Sequence, residues 1–272
     1  MSAVATGSTS PLAAGTEIAP GYDVIAHLGR GQALDTYDAW SEERDCRCVI
    51  KALRPDRQGD QRARRRLRRE GRLACELNHP HLVRGYELIV RPHPAVVLET
   101  IDGETLEHML ERSTRRLALN EVVHLGLHLC SAMHYLHGRG WVHIDLKPSN
   151  VISDCGLAKV IDLSIARRPG RGRRGAGTIP YMAPEQVRGG WVDAATDIWG
   201  IGGVLYEAAG GQRPFEGLNG TRHPQLAHRA PSLAKLRRVP AAFASAVDSC
   251  LEPERSERPT VRELSAALEQ LA

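Results

Sequence analysis

The chain has 272 residues, 42% of them hydrophobic and 25% charged, with a formal net charge of +4. That length holds one large or two modest domains and buries a real core. The composition is that of a soluble globular protein, not of a membrane or disordered chain.

Residues 1–20 are small and polar and close on Pro20-Gly21. Such a segment buries too little to order itself, so a flexible tail is predicted. Strand-like runs follow at 24–28, 36–40, 48–53, 86–90 and 95–100, interrupted by a helix over about 60–77. Beyond residue 106 helices dominate, at 106–115, 120–137, 193–209, 240–251 and 260–271. A small β-rich half, 21–101, before a larger α-rich half, 102–272, predicts an α+β protein of two lobes with a cleft between them.

Cysteines at 46, 48, 75, 130, 155 and 250 form no framework, as expected of reduced thiols in a cytosol. Cys46 and Cys48 lack a second pair at zinc spacing. No run approaches the roughly 18 uncharged apolar residues of a spanning helix; the stretch 198–209 is short and holds Glu207. No Lys or Arg precedes Arg30, so the basic start of a signal peptide is absent. A cytoplasmic protein with no membrane contact is expected.

The most informative stretch is H-I-D-L-K-P-S-N over 143–150, with Asp162 twelve residues beyond Asn150. Phosphoryl transfer needs a carboxylate to orient the attacking hydroxyl, a cation beside the moving phosphoryl group and oxygen ligands for magnesium. Asp145, Lys147, Asn150 and Asp162 supply those types in a fixed order. Lys is scarce in this chain, at 51, 147, 159 and 235 only, so a second Lys, Lys51 in the apolar run C-V-I-K-A-L, also stands out. A cation there needs a partner. Ala63, Leu67, Glu70, Ala74 and Leu77 recur at helical spacing, which puts Glu70 on an otherwise apolar inward stripe. An inward carboxylate is costly unless a cation meets it, and Lys51 is the natural candidate. The arginines around Glu70, at 62, 64, 65, 66, 68 and 69, read as a solvated helix face. No aromatic platform interleaves them, so no nucleic-acid partner is expected.

These segments resemble those of protein kinases. Residues 143–150 are similar to the catalytic loop H-R-D-L-K-P-x-N of the Ser/Thr branch, and Lys51 to the Lys of the V-A-I-K strand. L-G-R-G-Q-A-L-D-T-Y-D-A over 28–39 is similar to the Gly-rich loop, with Leu34 at the third Gly and Thr36 at the Val. V-I-D-L-S over 160–164 is similar to the D-F-G segment, with Leu163 and Ser164 replacing Phe and Gly, one residue closer to Asn150 than is usual. G-T-I-P-Y-M-A-P-E-Q over 177–186 resembles the end of an activation segment. Asp197 is placed like the helix Asp that ties down the catalytic loop, and Arg258 like the Arg that pairs with the A-P-E Glu, here Glu185. The resemblance spans roughly 22–272 and implies the two-lobed kinase fold, with a small β-rich lobe carrying one key helix and a larger helical lobe.

By that resemblance the chain is a bacterial eukaryotic-like Ser/Thr protein kinase that uses ATP and Mg2+. Asp145 orients the substrate hydroxyl and Lys147 neutralises the γ-phosphoryl group. Asn150 and Asp162 bind magnesium, and Leu28, Gly29, Gly31, Lys51, Glu70, Glu99 and Ile101 bind or frame the nucleotide. Glu99 and Ile101 act through main-chain atoms only, with Leu98 as gatekeeper. Two other readings remain. A pseudokinase that binds nucleotide or a partner without turnover is motivated by Leu34, Ser164 and the shortened hairpin. A small-molecule phosphotransferase is opposed by the A-P-E-like segment and Arg258. Many kinases carry Arg before the catalytic Asp to pair with a loop phosphate, whereas this chain has Ile144. Between Asp162 and Glu185 the only hydroxyls are Ser164, Thr178 and Tyr181. Arg167, Arg168, Arg171, Arg173 and Arg174 read as a solvated basic loop, or as a surface for an acidic protein substrate.

Overall fold

The computed structural model describes residues 10–91, 93–112, 116–217 and 222–272. The described residues fall into two units. One holds 10–78, 82–102 and 162–164; the other holds 79–81, 103–161 and 165–272.

In the first unit six strands form one sheet in the order β1-β2-β3-β4-β6-β5. They are β1 (Glu17–Ala19), β2 (Tyr22–Arg30), β3 (Leu34–Ser41), β4 (Cys46–Leu53), β5 (Gly85–Ile89) and β6 (Ala95–Glu99), with helix α1 (Gln61–Glu76) between β4 and β5. Neighbouring strands are antiparallel, so alternate side chains take opposite faces. Tyr22, Ala39, Cys48, Ile50, Ala95 and Val97 form one core cluster. α1 packs against β4, β5 and β6. It starts where Asp60 Oδ1 accepts from the Arg62 and Ala63 N–H groups, an N-cap that satisfies two orphan donors. Gly71 is where helix and sheet come closest: a Cβ there would lie 2.7 Å from Leu88 Cδ1 and 2.8 Å from Val96 Cγ2.

The tail predicted over 1–20 is corrected in part. Glu17–Ala19 pairs with β2, Leu12 N donates to the Tyr37 hydroxyl at 3.1 Å, and Ala19 joins the core cluster. Ile18 and Ala19 find apolar partners that an average over a small, polar segment conceals. Residues 1–9 lie outside the described residues.

The second unit carries β7 (Glu104–Thr105), α2 (Leu106–Arg112), α3 (Leu119–Gly138), β8 (Val151–Asp154), β9 (Leu157–Val160), β10 (Gly170–Arg171), α4 (Pro184–Arg188), β11 (Trp191–Val192), α5 (Ala194–Gly210), α6 (Ala241–Cys250) and α7 (Val261–Glu269). The predicted helix 106–115 appears as α2; residues 113–115 lie outside the described residues. α5 is buried nearly all round, as a core helix is, and α3 packs on both α5 and α7. Thr260 and Glu263 cap α7 reciprocally, a capping box. At Gly103 a Cβ would meet the Ser153 carbonyl oxygen at 1.9 Å, so only glycine fits beside β8. No helix among the described residues is long and apolar enough to cross a membrane.

Histidines fasten the 79–81 segment to α3. The His81 and His128 rings stack at 4.1 Å and His79 stacks on Tyr135 at 5.0 Å. His128 Nδ1 accepts from Ala158 N at 3.3 Å, a bond that needs the unprotonated nitrogen. Burial, with His81 and His124 nearby, lowers the His128 pKa to about 4. An imidazole depressed in the fold contributes stability that is complete above its unfolded pKa near 6.5 and is lost as pH falls toward 4. Acidification through that window should therefore lower stability. His128→Asn keeps an acceptor without taking up a proton, so its urea midpoint should be flatter between pH 7 and pH 4.5. An unchanged slope would remove His128 as the cause.

Candidate active site

In the first unit, Lys51 lies on β4 between Thr36 of β3 and Val96 of β6. Its Nζ donates to Glu70 Oε1 at 2.6 Å. Glu70 is 2% exposed, so the carboxylate does not reach out to the surrounding arginines. Burial pulls the Lys51 pKa down, but the facing carboxylates of Glu70 and Asp162 outweigh it and raise the ammonium above its usual range. At Glu70, burial and Asp162 push the carboxyl up against the opposing pull of Lys51.

Asp162 takes the left-handed conformation, φ 67°, which Asp tolerates better than most residues. Its Oδ1 accepts from Ser164 N at 3.1 Å, closing a local turn. Ser164 itself keeps negative φ, so the serine in place of glycine fits the backbone without strain. Leu163 is buried. The shortened interval before Asp162 is taken up in the second unit. There β8 and β9 are joined by Cys155 and Gly156 alone, both at positive φ, a type I′-like two-residue turn.

Leu28, Gly29 and Gly31 lie along the β2–β3 hairpin, whose end is tight: Gly31 N donates to Leu34 O at 2.8 Å. Leu34, in place of a third glycine, is the first residue of β3 and pairs with Leu53. A polar brace holds the hairpin. Arg30 grips Asp35 with two bonds of 2.7 and 2.8 Å, and His27 and the Tyr37 hydroxyl reach the same carboxylate. Arg54 donates to the Gly31 carbonyl. Burial pushes the Asp35 carboxyl up, but Arg30 and His27 outweigh it and hold it below its usual range. At the end of β6, Leu98 is buried, and Glu99 is bound to Arg84 twice, backbone N to Arg84 O and Oε1 from Arg84 N, each at 2.9 Å. Ile101 follows in irregular backbone.

In the second unit the catalytic-loop segment is clamped from both ends. Asp197 Oδ2 accepts from His143 N at 2.8 Å and Oδ1 from Ile144 N at 2.7 Å, and His137 Nε2 lies 2.8 Å from Oδ2. Burial raises the Asp197 carboxyl, but His137 and the backbone donor outweigh it and leave it below the ordinary range. Asp193, not Asp197, caps α5. Ile144 sits at φ 59°, a strained conformation for a β-branched residue. Its N–H is held by Asp197, and its carbonyl accepts from Gln186 Nε2 at 2.7 Å.

That clamp presents Asp145, Lys147 and Asn150. Asp145 Oδ1 accepts from the Thr178 hydroxyl at 2.8 Å, and Thr178 Oγ1 accepts from Lys147 Nζ at 2.7 Å. Lys147 also lies 3.3 Å from Asp145 Oδ2. Asn150 Nδ2 donates to the Asp145 carbonyl at 2.9 Å, which directs its amide oxygen away from that contact. Thr178, Gln186 and His137 belong to this network and were not marked as site residues by the sequence; the only signal for the first two was membership in the segment 177–186. Among the described residues no group of three or more His, Cys, Asp or Glu could hold a metal alone.

A β-sheet unit with this Lys–Glu pair and a helical unit with this Asp–Lys–Asn loop are the parts of a protein kinase domain. The chain belongs to the protein kinase domain family, whose model matches residues 22–268. It is 34% identical over 209 residues to a probable serine/threonine-protein kinase of Streptomyces coelicolor, covering 72% of this chain and 31% of that protein. It is 35% identical over 182 residues to the serine/threonine-protein kinase PknB of Mycobacterium tuberculosis, covering 62% of this chain and 29% of that one. The chain thus spans about a third of the length of these relatives. Its fold is similar to the crystal structure of the Mycobacterium tuberculosis PknI kinase domain, with a TM-score of 0.75, 26% identity, and coverage of 96% of this chain and 100% of that one.

Proposed function

We propose that the chain transfers the γ-phosphoryl group of ATP, with magnesium, to serine or threonine hydroxyls of a protein substrate. The observation that carries this reading is the Asp145–Thr178–Lys147 network. A carboxylate and an ammonium share one hydroxyl, so Lys147 is held beside the group that would orient the incoming hydroxyl. In this role Asp145 receives the substrate proton and Lys147 offsets charge growing on the transferred group. Lys51, held by Glu70, would bind the α- and β-phosphates. Leu28, Gly29 and Gly31 would line the nucleotide, with main-chain atoms of Glu99 and Ile101 facing the adenine. Asn150 and Asp162 are the magnesium ligands that the chain offers; the ion neutralises phosphate oxygens when bound.

The three departures that motivate a pseudokinase reading are each accommodated locally: Leu34 by strand pairing, Ser164 by its negative φ and the shortened hairpin by a two-residue turn. Purified protein incubated with labelled ATP, magnesium and a generic protein substrate should yield phosphoserine or phosphothreonine, and Asp145→Asn should not. Nucleotide binding without turnover in the wild type would establish the pseudokinase instead.

Regulation follows from the same segment. No hydroxyl lies between residues 165 and 177, and the Thr178 and Tyr181 hydroxyls are bound to Asp145 and Glu207. Unmodified side chains and backbone already tie the segment. Gln186 Nε2 donates to both Ile144 O and Ala176 O, Arg167 exchanges two backbone bonds with Val142, and Arg168 covers the Trp141 ring at 4.4 Å. Phosphatase-treated enzyme should therefore keep its rate, whereas Gln186→Ala should lower kcat about tenfold by freeing the Ile144 carbonyl. A large loss on dephosphorylation, traced to Ser164 or Thr178, would overturn this.

A further inference from the structure

The solvent side of α1 carries Arg62, Arg65, Arg66, Arg69 and Arg72, all exposed, with Arg64 and Arg68 at its edge. Four of these pairs stand four residues apart (62/66, 64/68, 65/69 and 68/72), a spacing at which like charges destabilise a helix. Arg62 and Arg64 also lie in the first turn, where the helix dipole disfavours cations, and no acidic residue stands in that turn. The carboxylates of the region are committed elsewhere. Asp60 caps the helix and Glu70 faces Lys51. Among the described residues none of Arg64, Arg65, Arg66, Arg68, Arg69 and Arg72 lies in an ion pair. Arg64 Nε and Arg68 Nε are buried without a hydrogen-bond partner. An ordinary solvated helix face mixes signs; from Arg62 to Arg72 the exposed charges of this one are all positive, and its exposed carboxylate, Glu76, stands only at the far end.

Beside the first turn of α1 lies a cavity of about 530 Å3, between it and the hairpin end 31–34. Arg57, Arg62 and Arg66 line it together with Asp60 and Ser164. Three guanidinium groups against one carboxylate leave the lining cationic. The cavity has the volume of a small-ligand pocket, which admits a side chain with its neighbours but not a duplex. No aromatic ring lines it, so it offers no stacking platform for single-stranded nucleic acid. The apolar stripe of α1 is turned inward, so the helix has no face to insert into a lipid surface.

We propose that α1 and this cavity bind an anionic polypeptide segment, its carboxylates or phosphate groups held by Arg57, Arg62, Arg66 and Arg69. Guanidinium forks suit both groups through bidentate bonds. Bound anions offset the repulsion along the helix and so stabilise the element that holds Glu70 against Lys51. The effect on catalysis rests on the kinase reading; binding itself does not.

The test is fluorescence anisotropy with two labelled probes, a short polyglutamate peptide and a phosphoserine peptide of otherwise neutral sequence, at low and physiological salt. At least one probe should bind, more weakly as salt rises, and which one binds better identifies the group recognised. The triple variant Arg62→Gln, Arg66→Gln, Arg69→Gln should lose affinity about tenfold or more. Its melting temperature should be equal or higher, because like charges have been removed. The corresponding lysine triple variant keeps the charge and should retain most of the binding of carboxylates. Amide exchange along α1 should slow when the probe binds. Failure of both probes to bind at low salt, affinity unchanged in the glutamine variant, or preference for an oligonucleotide or for phosphatidylserine vesicles would each overturn the proposal. A chain without turnover that still binds the probe leaves this site standing and removes only the kinase reading.

Discussion

Asp145→Asn is expected to lower kcat roughly 100- to 10,000-fold, the range in which a positioned acid or base acts, while nucleotide affinity stays within about threefold. The amide keeps one oxygen for the Thr178 hydroxyl but turns a donor toward Lys147 and Asn150, which already donate there. Proton acceptance is lost and the loop loosens locally, yet Asp197 still holds His143 and Ile144, so the fold persists. Lys51→Met is expected to lower turnover by a similar factor through loss of phosphate contacts. It also strips Glu70, 2% exposed, of its cation, and an uncompensated buried charge costs about 3–5 kcal/mol. The companion variant Lys51→Met, Glu70→Gln removes that penalty and should recover stability without recovering rate. Steady-state kinetics with thermal melts on all three variants separate the effects. Turnover near wild type in Asp145→Asn, or recovery of rate in the double variant, would contradict the roles assigned here.

Much of this arrangement was legible because its logic is local or periodic. Alternation placed β3 and β4 to within two residues. The spacing of Ala63, Leu67, Glu70 and Ala74 put one carboxylate on a buried stripe, and only a buried cation could answer it. What could not be read depends on partners far apart in sequence. Thr178 is an ordinary threonine until its hydroxyl is found between Lys147 and Asp145, 31 and 33 residues away. Gln186 reaches back 42 residues to Ile144, and nothing in a glutamine signals that. Asp35 precedes the run read as a strand at 36–40, and nothing local signals the brace that joins it to His27 and Arg30 of the neighbouring strand. β10, β11 and α4 are too short to carry a period, and β1 draws its order from the sheet it edges. Leu34, Ser164 and the shortened hairpin suggested damage, since a family pattern specifies which residues usually occur but not which backbone angles a particular loop needs.

Arg258→Ala should be the most destabilising single substitution away from the nucleotide-facing residues. The guanidinium is fully buried and spends every donor. It forms two bonds of 2.9 Å to the two oxygens of Glu185, with others to the carbonyls of Ala195, Glu252 and Pro253, and stacks 4.9 Å from the Trp199 ring centroid. Removing it leaves the buried Glu185 carboxylate, among the described residues, with the Thr196 hydroxyl and takes a donor from the carbonyls of Ala195, Glu252 and Pro253. Breaking such a pair costs about 3–5 kcal/mol, which for a chain of this size lowers Tm by about 10 °C. A buried pair adds less stability than its breakage suggests, because both charges were first taken out of water. The double variant Glu185→Gln, Arg258→Met should therefore be less destabilised than the sum of its single changes by at least about 1 kcal/mol. Glu185 lies in the first turn of α4, whose Gln186 holds the Ile144 carbonyl, so loss of Arg258 should also lower kcat more than it raises KM. Urea melts and kinetics on the four members of the cycle test both statements. Additive losses, or an Arg258→Ala cost below about 1 kcal/mol, would show that the pair is incidental and that packing around Trp199 carries the region instead.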